Sequence, residues 1–138
     1  MRIDAEYIKL LLDVFLNSPK PTADLKDFPM LDLKGDVNDD VHKFVFHMEI
    51  LEDQGFIEPA INTSSIGIKR ISHTYSWSVI PLRLTASGHD FASALSKPGI
   101  IEELRSKFKD AGPGETVKAV FGLATKAFDR KLRDLTED

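Results

Sequence analysis

Two stretches of the chain decide the fold, Leu51-Glu52-Asp53-Gln54-Gly55-Phe56-Ile57 and Leu84-Thr85-Ala86-Ser87-Gly88. The first ends an amphipathic helix and continues into an extended segment, because Gly55 stands where a helix often stops on a left-handed residue. The second begins a new helix, since the Thr85 hydroxyl can accept a hydrogen bond from the first turn. Gly88 would let this helix approach the preceding strands closely. A hairpin between the two stretches gives the element order of a winged helix.

The spacing of apolar residues predicts two helices before the hairpin. The first runs from about Asp4, its N-cap, to Asn17, and Pro19 and Pro21 end it. The second runs from about residue 39 to residue 54. Phe46 and Ile50 give this second helix another apolar face, so we expect it to pack on two sides. Its main apolar stripe consists of Val41, Phe44, Val45, Met48 and Leu51.

The hairpin itself is predicted from alternation. Tyr75, Trp77 and Val79 alternate with small polar residues, as in a half-buried strand, and Phe56-Ile57-Glu58 begins the other strand. After the helix opened by Thr85, two more helices are expected. They are divided by a break at residues 112–114, and the last spans about residues 115–135.

Residues 18–37 fit either a short helix at Thr22–Asp27 or a strand at Met30–Leu33. The helix that precedes the recognition helix in a helix-turn-helix is therefore not predicted. The whole chain is expected to form one mainly helical α+β domain, residues 1–138. It would combine a winged-helix-like core at residues 1–96, with a two- or three-stranded antiparallel wing, and a C-terminal helical extension at residues 97–138.

Three stretches together match the sequence pattern of a known protein family. They are Met1-Arg2-Ile3-Asp4, Phe46 to Leu51 continuing into Gly55-Phe56-Ile57, and Arg83 to Phe91. With them the chain resembles the bacterial and phage-borne proteins of domain-of-unknown-function family 2513. The pattern continues through the charged helix at residues 102–109 and the final helix, but Ala86 and Ser87 occupy a stretch where the family is expected to carry a tryptophan. The family has no established activity. The resemblance therefore implies a winged-helix-like architecture and a bacterial or phage origin, and no catalytic residues.

The composition is that of a globular protein without cysteine chemistry. The 138 residues are 42% hydrophobic and 29% charged, with a net charge of -4 and no cysteine. No apolar run approaches the roughly 20 residues that a bilayer span needs, so we expect no membrane partner. Residues 1–6 lack the basic and apolar regions of a signal peptide, which makes the cytoplasm the expected compartment.

Sequence motifs for catalysis or metal binding are missing. The chain has no nucleophile elbow, phosphate-binding loop or dinucleotide fingerprint. His42 and His47 are separated by about 140° around a helix, whereas two ligands on one helix face need a spacing of three or four residues. We therefore expect a non-enzymatic protein without a metal or cofactor.

Duplex DNA is one expected ligand. A recognition helix lies in the major groove, and the wing of this fold lies along the backbone or the minor groove. The residues predicted to bind DNA are His42, Lys43 and His47 in the second helix and Lys69, Arg70 and His73 in the hairpin. In the other interpretation, His47 is a satisfied or half-exposed polar residue of the helix and Lys69-Arg70 belong to a solvated polar turn.

The charge distribution opposes DNA binding and keeps a protein ligand open. Residues 1–55 carry six basic and twelve acidic side chains, and Asp36, Asp39 and Asp40 crowd the start of the second helix. The sequence thus predicts a DNA-binding regulator or accessory factor, or else a protein–protein interaction module on a winged-helix core.

The last helix carries a long apolar stripe flanked by basic residues. Such a stripe either pairs with its copy in a homodimer or lies on the core of its own chain. The residues predicted for a homodimer interface are Phe121, Phe128 and Leu132. The sequence leaves monomer and homodimer open.

Overall fold

The computed structural model describes residues 1–136, about 53% of which are helical, so the prediction of a mainly helical α+β fold is confirmed. Within these residues the five helices are α1 (Ala5–Leu16), α2 (Asp39–Asp53), α3 (Ala86–Leu95), α4 (Ile100–Lys107) and α5 (Pro113–Thr136). Four short strands lie between α2 and α3: β1 (Ile57–Pro59), β2 (Ile68–Ile71), β3 (Thr74–Trp77) and β4 (Leu82–Leu84). Residues 137–138 of the predicted C-terminal extension lie outside the described residues.

Residues 51–57 and 84–88 behave as predicted. Gly55 has a φ of +74° and follows the end of α2, and the backbone N–H of Phe56 donates to the carbonyl of Leu51. The Thr85 hydroxyl accepts from the N–H of Gly88 at 3.0 Å and donates to the carbonyl of Gly55 at 2.6 Å. One threonine therefore caps α3 and ties its start to the end of α2.

Gly88 permits the close contact between α3 and β1. A Cβ atom at this position would lie 2.1 Å from the carbonyl oxygen of Phe56, a backbone atom that cannot move aside cheaply. Beside this contact the rings of Phe56 and Phe91 stack with their centroids 4.6 Å apart. The predicted role of Gly88 is confirmed.

The strand pairing differs from the predicted single hairpin. β1 pairs with β4, so that Ile57 faces Leu84, and a separate two-stranded sheet, the β2–β3 ribbon (residues 68–77), extends from between them. Leu82 and Leu84 are buried and make β4 the better partner for β1. The prediction for Val79 is wrong, because β3 ends at Trp77 and Val79 is exposed in the connection to β4.

The segment between α1 and α2 contains one turn of 3-10 helix, Leu25–Asp27, inside the region predicted as a short helix. Its capping box combines the side chains of Asp24 and Asp27. Just before it, Ala23 exchanges backbone hydrogen bonds with Leu82 of β4 at 2.8 and 2.9 Å. The alternative strand at Met30–Leu33 is wrong, since no strand forms there.

One cluster of buried apolar side chains joins α1, α2, the β1–β4 sheet and α3 and reaches Ile100, Leu104 and Val120 in the last two helices. All five residues of the predicted main stripe of α2 are in it. Phe46 and Ile50 are not, and both are partly exposed. Ile50 borders a small space together with Ile3 and Val117, so part of this second face is covered, and packing of α2 on two sides stays a prediction.

Candidate binding surface

His47 is fully buried in the middle of α2, so the structure corrects its prediction as a DNA contact. Its Nε2 accepts from the backbone N–H of Asp4 at 3.0 Å, and its Nδ1 lies 2.8 Å from the carbonyl of Lys43. These contacts require the tautomer with the proton on Nδ1. Burial lowers the pKa of His47, and the neutral ring joins the N-terminal segment to α2.

Lys43 belongs to the same junction. Its ammonium group lies 3.1 Å from Oδ2 of Asp4 and 4.7 Å from the ring centroid of Tyr7. Burial alone would raise the pKa of Asp4, but the N–H of Tyr7 and the charge of Lys43 outweigh it and hold the pKa below its ordinary value. The charge of Lys43 is thus compensated inside the chain.

Tyr7 completes this junction without offering acid–base chemistry. Its ring lies against that of His47, with centroids 4.8 Å apart, and its hydroxyl is buried without a hydrogen-bond partner in the described part of the chain. Burial, with the charges of Asp40 and Asp4, raises the pKa of Tyr7 to about 12. The phenol therefore stays protonated near neutral pH, and the cluster acts as a structural junction.

Two side-chain contacts hold the β2–β3 ribbon against α2. The guanidinium of Arg70 donates to both carboxylate oxygens of Glu49, at 2.8 and 2.5 Å. Nδ1 of His42 lies 2.6 Å from the hydroxyl of Tyr75, whose backbone pairs with Arg70 across the ribbon. Two of the residues predicted to bind DNA, His42 and Arg70, thus connect the ribbon to the helix.

Lys69 and Arg70 do not form one cationic patch. Successive side chains of a strand point to opposite faces, so Lys69 faces away from α2 while Arg70 faces toward it. No carboxylate of residues 1–136 forms an ion pair with Lys69, and His73 is exposed at the end of the ribbon beside Ser72, which has a φ of 54°. Of the six residues predicted to bind DNA, only Lys69 and His73 are exposed without a side-chain partner in the described chain.

The solvent face of α2 is apolar and acidic. Asp39, Phe46, Ile50 and Asp53 recur at spacings of seven, four and three residues and so share this face. Lys43 lies on it too, three residues before Phe46, with its charge paired to Asp4. At the C-terminal end of the helix, burial and the neighbouring charges of Asp53 and Glu49 raise the pKa of Glu52. Carboxylates are unfavourable at a helix C-terminus, where the macrodipole is negative. We call this face, residues 39, 46, 50 and 53 with Glu49 and Glu52 at its edge, the acidic α2 face.

The three residues predicted for a homodimer interface separate into two groups. Phe121 packs its ring on Phe91 with centroids 5.8 Å apart, so it lies against the core of its own chain. Phe128 and Leu132 are 58% and 46% exposed. Phe121 is partly exposed and contributes to the packing of its own chain, whereas Phe128 and Leu132 are accessible, and the homodimer interface stays a prediction.

Within residues 1–136, no three histidine, aspartate or glutamate side chains are arranged to hold a metal ion, and no helix is long and apolar enough to cross a membrane. No family model, curated protein or solved structure matches the chain. The resemblance to family 2513 consequently stays a prediction.

Glu49 and Tyr75, which hold the ribbon on α2, were not among the predicted site residues. The signal for Tyr75 was present, because its place in the alternating strand assigns it to the inward face. Nothing in the spacing of Glu49 and Arg70, 21 residues apart, indicates that they meet. Their pairing depends on the ribbon folding back along the helix.

Proposed function

We propose that the protein is a non-enzymatic binding module on a winged-helix-like core and that its ligand is a protein. The order α2, β1, ribbon, β4 and α3 supports this architecture, with α2 in the place of the recognition helix and the ribbon in the place of the wing. The bridge between Ala23 and β4 corresponds to a third, minimal strand of the β1–β4 sheet.

The acidic α2 face is the observation that carries the choice of ligand. A helix that enters the major groove must approach phosphates, and phosphate contacts supply most of the affinity that does not depend on sequence. Here the face available to a ligand carries Phe46 and Ile50 between Asp39 and Asp53. The nearby cations, Lys43 and Arg70, are already compensated. An apolar patch with acidic edges suits a protein surface with basic edges.

Duplex DNA is the second candidate, and it rests on the exposed end of the ribbon. Lys69 and His73 can reach a phosphate backbone there while α2 stays away from the duplex. Such a contact would involve few charges. It would therefore be weak and would show a shallow dependence on salt.

Titration of a labelled DNA duplex at low and at moderate ionic strength tests the proposal. We expect no salt-sensitive binding by the wild-type protein. Lys69→Ala is compared with Lys109→Ala, which removes an exposed lysine between α4 and α5. Salt-sensitive binding that Lys69→Ala abolishes and Lys109→Ala preserves would establish the DNA candidate and refute a protein ligand as the primary one.

A further inference from the structure

The second half of α5 leaves the body of the protein without a covering element. Every residue from Thr125 to Thr136 is exposed, including Phe128, Leu132 and Leu135, of which Leu135 is 71% exposed. These three side chains continue the stripe by which Phe121 packs on Phe91, because they follow at helical spacing. We call residues 125–136 the α5 arm.

The α5 arm is basic around its apolar stripe. It carries Lys126, Arg130, Lys131 and Arg133 against Asp129 and Asp134. With Lys97 and Pro98 of the turn between α3 and α4, it borders an open groove of about 390 Å³ lined by Phe128, Lys131, Leu132 and Leu135. The arm therefore offers apolar side chains inside a positively charged frame.

The acidic α2 face has the complementary composition. Phe46 and Ile50 stand outside the core, and Asp39 and Asp53 flank them on the exposed side of the helix. Glu49, Glu52 and Asp53 follow one another at the C-terminal end of α2, where the helix macrodipole makes a cation favourable. One chain thus carries an exposed basic arm and a partly exposed acidic helix face, each with apolar side chains in its middle.

We propose that the α5 arm docks on the acidic α2 face of a second copy of this chain. Pairing two α5 arms would bring their excess basic charges together, whereas pairing an arm with α2 brings opposite charges together. The inference rests on the proposed function, in that it uses α2 as a protein-binding surface and names its partner.

Reciprocal docking closes a dimer. Each copy supplies one arm and one acidic α2 face, so a twofold axis gives two equal contacts and no uncovered surface. Two contacts also compensate for the small size of each, since a single helix arm buries less than the roughly 800 Å² per partner of an ordinary stable interface. Docking further stabilises the arm, because a helical segment of about 12 residues is marginal by itself in water.

Molar mass in solution, from sedimentation or light scattering, tests the inference. The wild type should show twice the 15.4 kDa of one chain, with the dimer fraction falling as salt screens the charges. Phe128→Asp and Phe46→Asp should each give monomers. Leu10→Asp, a matched change at a 54% exposed residue of α1, should leave the dimer intact. A wild type that is monomeric at all accessible concentrations overturns the inference.

Mixing the two variants separates this geometry from pairing of two arms. Phe128→Asp chains keep an intact α2 face and Phe46→Asp chains keep an intact arm, so the mixture should recover one of the two contacts and form a heterodimer. Pairing through arms alone predicts no effect of Phe46→Asp and no recovery on mixing. Circular dichroism checks that each variant is folded. If Phe46→Asp unfolds the chain, Asp53→Lys replaces it, because Asp53 is fully exposed.

The molar mass and the DNA titration test the dimer and the proposed function separately. A monomeric wild type without DNA binding refutes the second copy as partner and leaves a different protein ligand in place. Salt-sensitive DNA binding that depends on Lys69 refutes the proposed function whatever the molar mass.

Discussion

His47 should make the stability of this protein fall as the pH drops below 6.5, the ordinary pKa of histidine. The ring is fully buried, bonds the N–H of Asp4 through Nε2 and donates from Nδ1 to the carbonyl of Lys43. In His47→Gln the amide oxygen can still accept from Asp4, but the donor and the ring packed on Tyr7 are lost. Together these losses cost about 2–4 kcal/mol of the free energy of unfolding near pH 7.

The pH profile carries the sharper test. Burial holds the pKa of His47 in the folded protein below its ordinary 6.5. Below pH 6.5 the unfolded chain therefore binds a proton that the folded chain excludes. The stabilisation is full above that pH and is lost as the pH falls, with a slope of at most about 1.4 kcal/mol per pH unit. His47→Gln has no such group and should lack this slope.

Urea unfolding of both proteins at several pH values from 5 to 7.5 measures the difference. The pKa of Asp4 is lowered from 3.8, so its own contribution is lost only at more acidic pH and does not enter this range. Glu52 is present in both proteins and cancels. If the free energies of the wild type and His47→Gln change in parallel over the whole range, the neutral, buried state assigned to His47 is wrong.

Two other features give separate predictions. Gly88→Ala should destabilise the fold by more than about 1 kcal/mol, because a Cβ atom would lie 2.1 Å from the carbonyl oxygen of Phe56. The control is Gly122→Ala on the exposed side of α5, where a Cβ atom meets nothing within 4 Å; it should stabilise the fold by about 0.5–1 kcal/mol. Equal changes in melting temperature for the two variants would contradict the close approach at Gly88. Glu52→Gln should raise the free energy of unfolding at pH 7 by about 0.2–0.5 kcal/mol, because the raised pKa of Glu52 means that its ionisation is unfavourable in the folded protein. This gain should vanish below pH 4.5, the ordinary pKa of the side chain. A loss of stability at pH 7 would show that the Glu52 carboxylate has a favourable partner.

Local chemistry made the helices and their caps predictable. Asp4 and Thr85 cap helices through atoms within a few residues, and Gly55 ends α2 in the same local way, so these roles follow from spacing alone. The hydrogen bond from Thr85 to the carbonyl of Gly55 is long-range and does not follow from spacing. The short elements between α1 and α2 were not predictable. The position of Ala23 depends on Leu82, 59 residues away, and a single bridge leaves no periodic pattern in the sequence.

The candidate surface was predicted only in part, because exposure is set by distant elements. His47 and Lys43 look like accessible residues of a helix until the N-terminal segment places Asp4 beside them. Lys69-Arg70 looks like one basic patch until the register of the ribbon divides it between two faces. The apolar stripe of α5 is continuous in sequence. The residue at which this stripe stops packing on the core depends on the lengths of α3 and α4.

The double attachment of the ribbon, through Arg70 to Glu49 and through Tyr75 to His42, has a thermodynamic consequence for any ligand of this region. A hairpin that swung freely would have to be immobilised at each binding event, with a loss of conformational entropy. Here that ordering has already occurred during folding. A partner therefore meets a preorganised shape, and association can proceed nearly as between rigid bodies.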